Sequence, residues 1–371
     1  MTKTKYAVFH GAGKPFEIVE RSLEFQLGDG QCLVEVVLAT ICGSDLHTVD
    51  GRRREPVPCV LGHEGVGRVV AVGPGREAGL VGRRVTWTLA DSCGACRPCR
   101  DWSLPQKCER LFKYGHASLD EGTGLHGTYA SHVVLRAGTT IFPLPDAVTD
   151  KMAAPANCAL ATMVAATEPL CDGGETAVIQ GAGLLGLFGC SLLREKGWKR
   201  VVVVDRIPAR LALVPAFGGE PALNSARGLL ATGSVDAVIE AAGRAEVIAE
   251  GIELLRPGGR YQLVGLVHPD SRLDLTGETI IRKCLTIQGT HNYAPRHLGA
   301  AVEFLKNRGQ SLPWERLVSP PFPLESLESA LALARSGSWP RVAVRPTQNL
   351  TDSFLQHEFN FQGRMVGAII P

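Results

Sequence analysis

A chain of 371 residues exceeds what one hydrophobic core usually organises, so two domains are expected. Thirty-nine basic against thirty-seven acidic residues leave a net charge of +2, without the cationic footprint expected of a nucleic-acid or membrane-surface binder. The apolar stretch after Met1 to Lys5 is too short for a signal peptide or a membrane span, so a cytoplasmic protein is expected.

In chain order, residues 6–140 carry short β-rich runs such as Cys32 to Leu38 and Gly67 to Gly73, punctuated by Gly and Pro, which predict an irregular β domain with few helices. Within it, Cys93, Cys96, Cys99 and Cys108 lie inside sixteen residues, a spacing that lets one Zn²⁺ collect four thiolates from a single lobe of chain. Upstream, Cys42 and His63 are left over for a second metal. The run Ala153 to Thr162 reads as a hinge entering a helix, which would put Cys158 near a cleft between domains.

From about Glu175 the texture changes. Apolar strands at Thr176 to Gln180, Val201 to Val204, Val235 to Ile239, Tyr261 to Val264 and Leu285 to Gln288 alternate with helical segments, which predicts an α/β, doubly wound parallel sheet. After about residue 291 the chain is expected to rejoin the first domain through short strands at Val318 to Pro323 and Arg341 to Arg345. The division is therefore 1–159, 160–290 and 291–371, with the apolar ending Met365 to Ile370 as a possible edge strand.

Gln180-Gly181-Ala-Gly183-Leu184-Leu185-Gly186 follows the first parallel strand and opens a helix from Leu184 to Lys196, capped by Gly197. Gly181 allows the tight turn, Gly183 lets backbone approach a pyrophosphate, and Gly186 brings helix close to strand. Asp205 ends the second strand nineteen residues beyond Gly186, where a carboxylate would accept hydrogen bonds from the adenosine ribose. It would repel a 2′-phosphate, so NAD is favoured over NADP, although Arg206 softens that repulsion. Leu184, Leu185, Arg206 and Arg210 complete the expected cofactor contacts.

Of the eleven cysteines, Cys32, Cys59, Cys171, Cys190 and Cys284 have apolar neighbours and read as buried small hydrophobes. Disulfides in the quartet are disfavoured by the cytosolic expectation. His116, His126 and His132 read first as core or solvated histidines.

Taken together, Cys42-Gly-Ser-Asp-Leu-His47, Gly62-His63-Glu64-Gly-Val-Gly67, the quartet and the glycine fingerprint resemble the medium-chain, zinc-dependent alcohol dehydrogenase family across nearly residues 5 to 345. The resemblance implies a GroES-like catalytic domain joined to a Rossmann domain, with catalytic Zn²⁺ on Cys42, His63 and Cys158 and structural Zn²⁺ on the quartet. It implies a proton relay through Ser44 to His47, Asp45 as the carboxylate that orients the ligand imidazole, and Glu64 as an acid near the metal. Sorbitol-type relatives use Glu as third ligand, so Cys158 sides with the alcohol dehydrogenase pattern. The gap from Cys99 to Cys108 is one residue longer than usual for the family, which a loop can absorb; Arg97, Arg100, Lys107 and Arg110 are expected to offset the charge of the four sulfurs. Two thiolates and a neutral imidazole cancel the charge of Zn²⁺ and leave a position for an alcohol, whose hydroxyl the metal would acidify beside NAD.

His47-Thr-Val-Asp-Gly-Arg-Arg-Arg54 places basic groups past the relay, and Arg52 or Arg53 would clamp an anionic substrate. Leu104-Pro-Gln-Lys-Cys108, Lys113-Tyr-Gly-His116 and Ala154-Pro-Ala-Asn-Cys158 look like a branch of the family associated with phosphonate catabolism. Arg52, Arg53, Lys113 and His116 are then the expected contacts of a hydroxyalkylphosphonate or similar compound. A polyol or amino-alcohol dehydrogenase and a non-catalytic NAD-binding protein are the alternatives. The resemblance also implies a homodimer or homotetramer.

Overall fold

The structure, a computed structural model, describes residues 3–268 and 271–347; the strand expected at Met365 to Ile370 lies outside them. The chain has the α/β architecture expected, a β-rich body and a parallel six-stranded sheet.

The centre of the β-rich body is strand Cys32–Ile41, whose Val, Leu and Ile side chains are buried on both faces. Strands Glu64–Val72, His132–Leu135 and Val342–Arg345 all run antiparallel to it. The register sets Thr40 opposite Glu64 and Ile41 opposite Val342. Three strand ends therefore meet at one edge. Cys42 follows one of them directly, His63 precedes the second, and Arg341 precedes the third. A smaller sheet of Glu17–Ser22, Lys3–Phe9 and Cys59–Val60 lies in the same body, and Ala90–Asp91 pairs with Phe112–Lys113.

In the parallel sheet the spatial order is Glu220–Leu223, Arg200–Asp205, Thr176–Gln180, Val235–Glu240, Leu255–Leu263 and Thr286–Gly289. This is the third-second-first-fourth-fifth-sixth order of a dinucleotide-binding fold, with its switch point beyond Thr176–Gln180. Five strands were expected and six form, Glu220–Leu223 being the addition; the others start and stop within a residue or two of expectation except the one expected from Tyr261. It begins at Leu255, because Val235 pairs with Leu255 and Ala237 with Arg260, which makes the Pro-Gly-Gly run a bulge in the ladder. Helix Leu184–Glu195 turns Leu184, Leu187, Phe188, Leu192 and Leu193 inward at helical spacing, and Gly197 past its end is left-handed, with φ +82°.

One apolar cluster joins the two bodies, running from Leu38, Val66 and Leu89 through Met163 and Phe188 to Leu298 and Leu305. Each such fully buried side chain contributes about 1.5–3 kcal/mol. Among the described residues no helix is long and apolar enough to cross a membrane. Two of the five cysteines expected to be buried are exposed: Cys171 lies beyond its helix, and Cys284, with φ +50°, follows helix Gly277–Arg282.

Candidate active site

The edge where the three strand ends meet holds the first donor cluster. Donor atoms of Cys42, His63, Glu64 and Cys158 all lie within 4.8 Å of one another. Cys158 arrives from the opposite side on a wide, π-type turn, Ala156–Leu160, a distortion common at functional sites. Its predecessor Asn157 sends Nδ2 to the carbonyls of His63, at 3.0 Å, and Trp87, at 3.1 Å, and so locks this turn to the strand edge. Tyr293 fixes the same turn by donating its hydroxyl to the Asn157 carbonyl.

The donor set suits Zn²⁺: two sulfurs and an imidazole are the ligands of a catalytic site that keeps a position open. The Cys42 and Cys158 sulfurs share a hydrogen bond at 3.9 Å, which holds the Cys42 thiol well below its ordinary pKa and Cys158 well above, while burial pushes both upward. Cys42 and Cys158 would both hold a Zn²⁺ as thiolates, the proton between them being lost to solvent on binding. Burial pulls the His63 imidazole down, but Asp45 and Cys42 carry its pKa up to about 10. Asp45 Oδ1 stands 3.3 Å from His63 Nδ1, and Oδ2 accepts from the Cys42 amide at 2.8 Å and the Tyr129 hydroxyl at 3.0 Å. With Nδ1 turned to the carboxylate, Nε2 is the nitrogen left for a metal.

Glu64 is fully buried. Thr40 donates to it at 2.5 Å and Arg341 at 2.8 and 3.0 Å; burial raises its pKa and the guanidinium opposes that rise. Arg341 Nη2 also stands 3.7 Å from the Cys42 sulfur. Ser44 and His47, three apart on helix Gly43–Val49, share one face beside this cluster. Burial first, then Arg52 and His268, lowers the His47 pKa and favours its neutral form.

The quartet Cys93, Cys96, Cys99 and Cys108 is the second donor cluster, with the same 4.8 Å compactness. Backbone amides of Ala95 and Cys96 point at Cys93 sulfur, at 3.4 and 3.3 Å, and that of Arg110 at Cys108 sulfur, at 3.3 Å. Of the four cations expected to offset its charge, only Arg110 bonds a quartet sulfur through its side chain, that of Cys93. Arg97 lies over Trp102, Arg100 pairs with Asp101, and Lys107 reaches His291, because the short helix and turn between the cysteines point these side chains outward.

At the nucleotide loop, Gly181 has φ +111°, and a Cβ on Gly186 would fall 1.8 Å from the Gly181 carbonyl oxygen. A Cβ on Gly183 would meet nothing within 4 Å, which leaves room for a pyrophosphate at the helix start marked by Leu184 and Leu185. Asp205 braces the loop, accepting from the Ala182 amide at 2.8 Å and the Ile207 amide at 2.9 Å. Arg206 is exposed, and Arg210 is partly covered on helix Pro208–Leu211.

The expected substrate cations divide. Arg52 is exposed and pairs with Asp50 at 2.7 Å. Arg53 and His116 share Glu55, at 2.6 and 2.9 Å. The His116 ring stacks on that of the metal-site His63, with centroids 5.5 Å apart, and burial takes the His116 pKa down to about 4. His126 and His132 are core histidines.

Residues 28–146 match the alcohol dehydrogenase GroES-like domain, and residues 185–307 match the zinc-binding dehydrogenase family. An L-threonine 3-dehydrogenase of Aeromonas salmonicida is 30% identical over 72% of this chain and 78% of its own. The crystal structure of an alcohol dehydrogenase from Thermotoga maritima superposes with a TM-score of 0.86 at 30% identity, covering 94% of this chain and 100% of its own. The chain belongs to the medium-chain zinc-dependent alcohol dehydrogenase family. An alcohol dehydrogenase from Escherichia coli CFT073, solved with NADH, matches this dehydrogenase with a TM-score of 0.80 at 26% identity, over 93% and 100% of the two chains.

The dehydrogenase also uses residues that no motif marked. Thr40, Arg341, Asn157, Tyr293 and Glu55 all brace the donor cluster or the cations beside it. The sequence signal for Arg341 was its place at the start of the strand expected over Arg341 to Arg345; Glu55 carried none.

Proposed function

We propose that this dehydrogenase oxidises a small alcohol bearing an anionic group, such as a hydroxyalkylphosphonate, with NAD as the hydride acceptor. The reading is carried by one observation: the His116 ring stacks on that of His63 in the donor cluster, Glu55 ties Arg53 to His116, and Lys113 opens the same turn as His116. Arg52, bound to Asp50 at the surface, is the weakest of the expected contacts.

Cys42, His63 and Cys158 would hold a catalytic Zn²⁺, with Glu64 next to it, and the quartet a structural one. Bound, the catalytic ion would supply Lewis acidity to the substrate hydroxyl, and nicotinamide the hydride acceptor. Asp45 holds the His63 ring, Ser44 takes the hydroxyl proton, and His47, kept neutral by burial, receives it. Gly181, Gly183, Leu184, Leu185 and Gly186 cradle the pyrophosphate, while Asp205, with Arg206 and Arg210 following, selects NAD over NADP.

The domain division at 159 and 290 belongs to the same reading. So does a cytoplasmic setting, which the free thiols of all eleven cysteines support. A homodimer or homotetramer is supported by the free edge strand Thr286–Gly289 and the 76% exposed Ile281 beside it.

An amino-alcohol dehydrogenase is the second reading, favoured by the L-threonine 3-dehydrogenase relative. A panel of hydroxyphosphonates, amino alcohols, polyols and simple alcohols, followed by NADH absorbance, separates the two; metal analysis is expected to find zinc for both clusters. Preference for neutral alcohols would remove the anionic reading, and a zinc-loaded protein inert across the panel would remove both.

A further inference from the structure

Of the cations near the catalytic donors, one has no partner among the described residues. Arg52 is bound by Asp50, and Arg53 and His116 by Glu55. Lys113, half-buried, makes no side-chain hydrogen bond or ion pair among the described residues. An ammonium with no acceptor in the fold is free to take one from a ligand.

Backbone geometry fixes where this residue stands. Lys113 pairs with Ala90 in a short antiparallel ladder, and the His116 amide closes a turn onto the Lys113 carbonyl at 3.3 Å. Within the turn Gly115, with φ +73°, lies so close to the segment before His63 that a Cβ would fall 2.4 Å from the Gly62 carbonyl oxygen. The turn is thus pressed onto the metal-site strand edge, with the His116 ring against the His63 ring.

We propose that Lys113 is the anion ligand of the substrate subsite, and that Glu55 holds Arg53 and His116 in place as its wall. The inference rests on the proposed anionic alcohol and names the group that would receive its charge. Arg53 is paired with Glu55, whereas Lys113 brings a positive charge that no side chain among the described residues pairs with. The complementary ligand is an oxyacid headgroup, carboxylate or phosphonate, on a short chain ending in the hydroxyl.

Titration calorimetry of methylphosphonate and of acetate into the zinc-loaded, full-length protein saturated with NADH reads the subsite without turnover. Lys113→Gln is expected to weaken the tighter of the two anions by at least about tenfold, and Lys113→Arg to recover most of that loss. The tighter anion names the headgroup. Equal affinity in wild type and a folded Lys113→Gln, or no binding of either anion to the wild type, overturns the assignment. Failure of the underlying reading looks different: both anions bind through Lys113, yet hydroxymethylphosphonate and glycolate give no NADH.

Discussion

Arg341 and Glu64, far apart in sequence, form a two-pronged ion pair inside the protein, Nε to Oε2 at 2.8 Å and Nη2 to Oε1 at 3.0 Å. Removing one member strands the other in a low-dielectric interior. Arg341→Leu is expected to lower stability in urea unfolding by about 3–5 kcal/mol, and adding Glu64→Leu to restore part of the loss. A cost below about 1 kcal/mol for the single variant would mean that Thr40 alone satisfies the carboxylate.

Two glycines of the nucleotide loop make a matched pair. Gly186→Ala drives a methyl group against a carbonyl oxygen at 1.8 Å, so a stability loss of about 1–3 kcal/mol or more is expected. Gly183→Ala meets no atom within 4 Å, so its melting should stay within about 0.5 kcal/mol of wild type. NADH affinity should nevertheless fall by about tenfold or more in this second variant. Undiminished binding in a fluorescence titration would show that the pyrophosphate lies elsewhere.

Asp205 braces the Ala182 and Ile207 amides, and in the proposed function it also meets the cofactor ribose. Asp205→Ser should weaken NADH by about 1.5–3 kcal/mol, the range for hydrogen bonds to a charged group, and NADPH by much less. Equal losses for the two would reduce Asp205 to a loop brace.

His132, 6% exposed in the ladder against Cys32–Ile41, has its pKa taken down to about 4 by burial. At His132 the unfolded chain therefore binds one more proton than the folded one between about pH 4 and 6.5, and this group's contribution makes stability rise with pH across that window. His132 contributes about 1.4 kcal/mol per pH unit there, roughly 3 kcal/mol in all, lost as the medium is acidified. Urea unfolding of His132→Gln at several pH values should show a slope smaller by about one proton. An unchanged slope would refute the assignment.

Much of this was legible in the chain because periodicity and local spacing are short-range signals. Thr176–Gln180 and its fingerprint sit side by side in sequence, as do the quartet cysteines, so their geometry follows from neighbours. Glu64 and Arg341 meet only because the final strand joins the first sheet, a long-range register that no local pattern encodes. Lys113 was legible as a cation, but its lack of a partner depended on Glu55 being engaged by Arg53 and His116. Leu255 escaped the strand prediction because Pro257 and the glycines after it read as turn chemistry, whereas the ladder absorbs them as a bulge.

The wide turn at Cys158 gives the protein an internal line of communication. Its sulfur belongs to the metal cluster, its backbone is tethered to His63 through Asn157, and its helical continuation packs under the nucleotide sheet. Occupancy at one end and dinucleotide at the other thus act on a single stretch of main chain, so each ought to firm the seat of its counterpart.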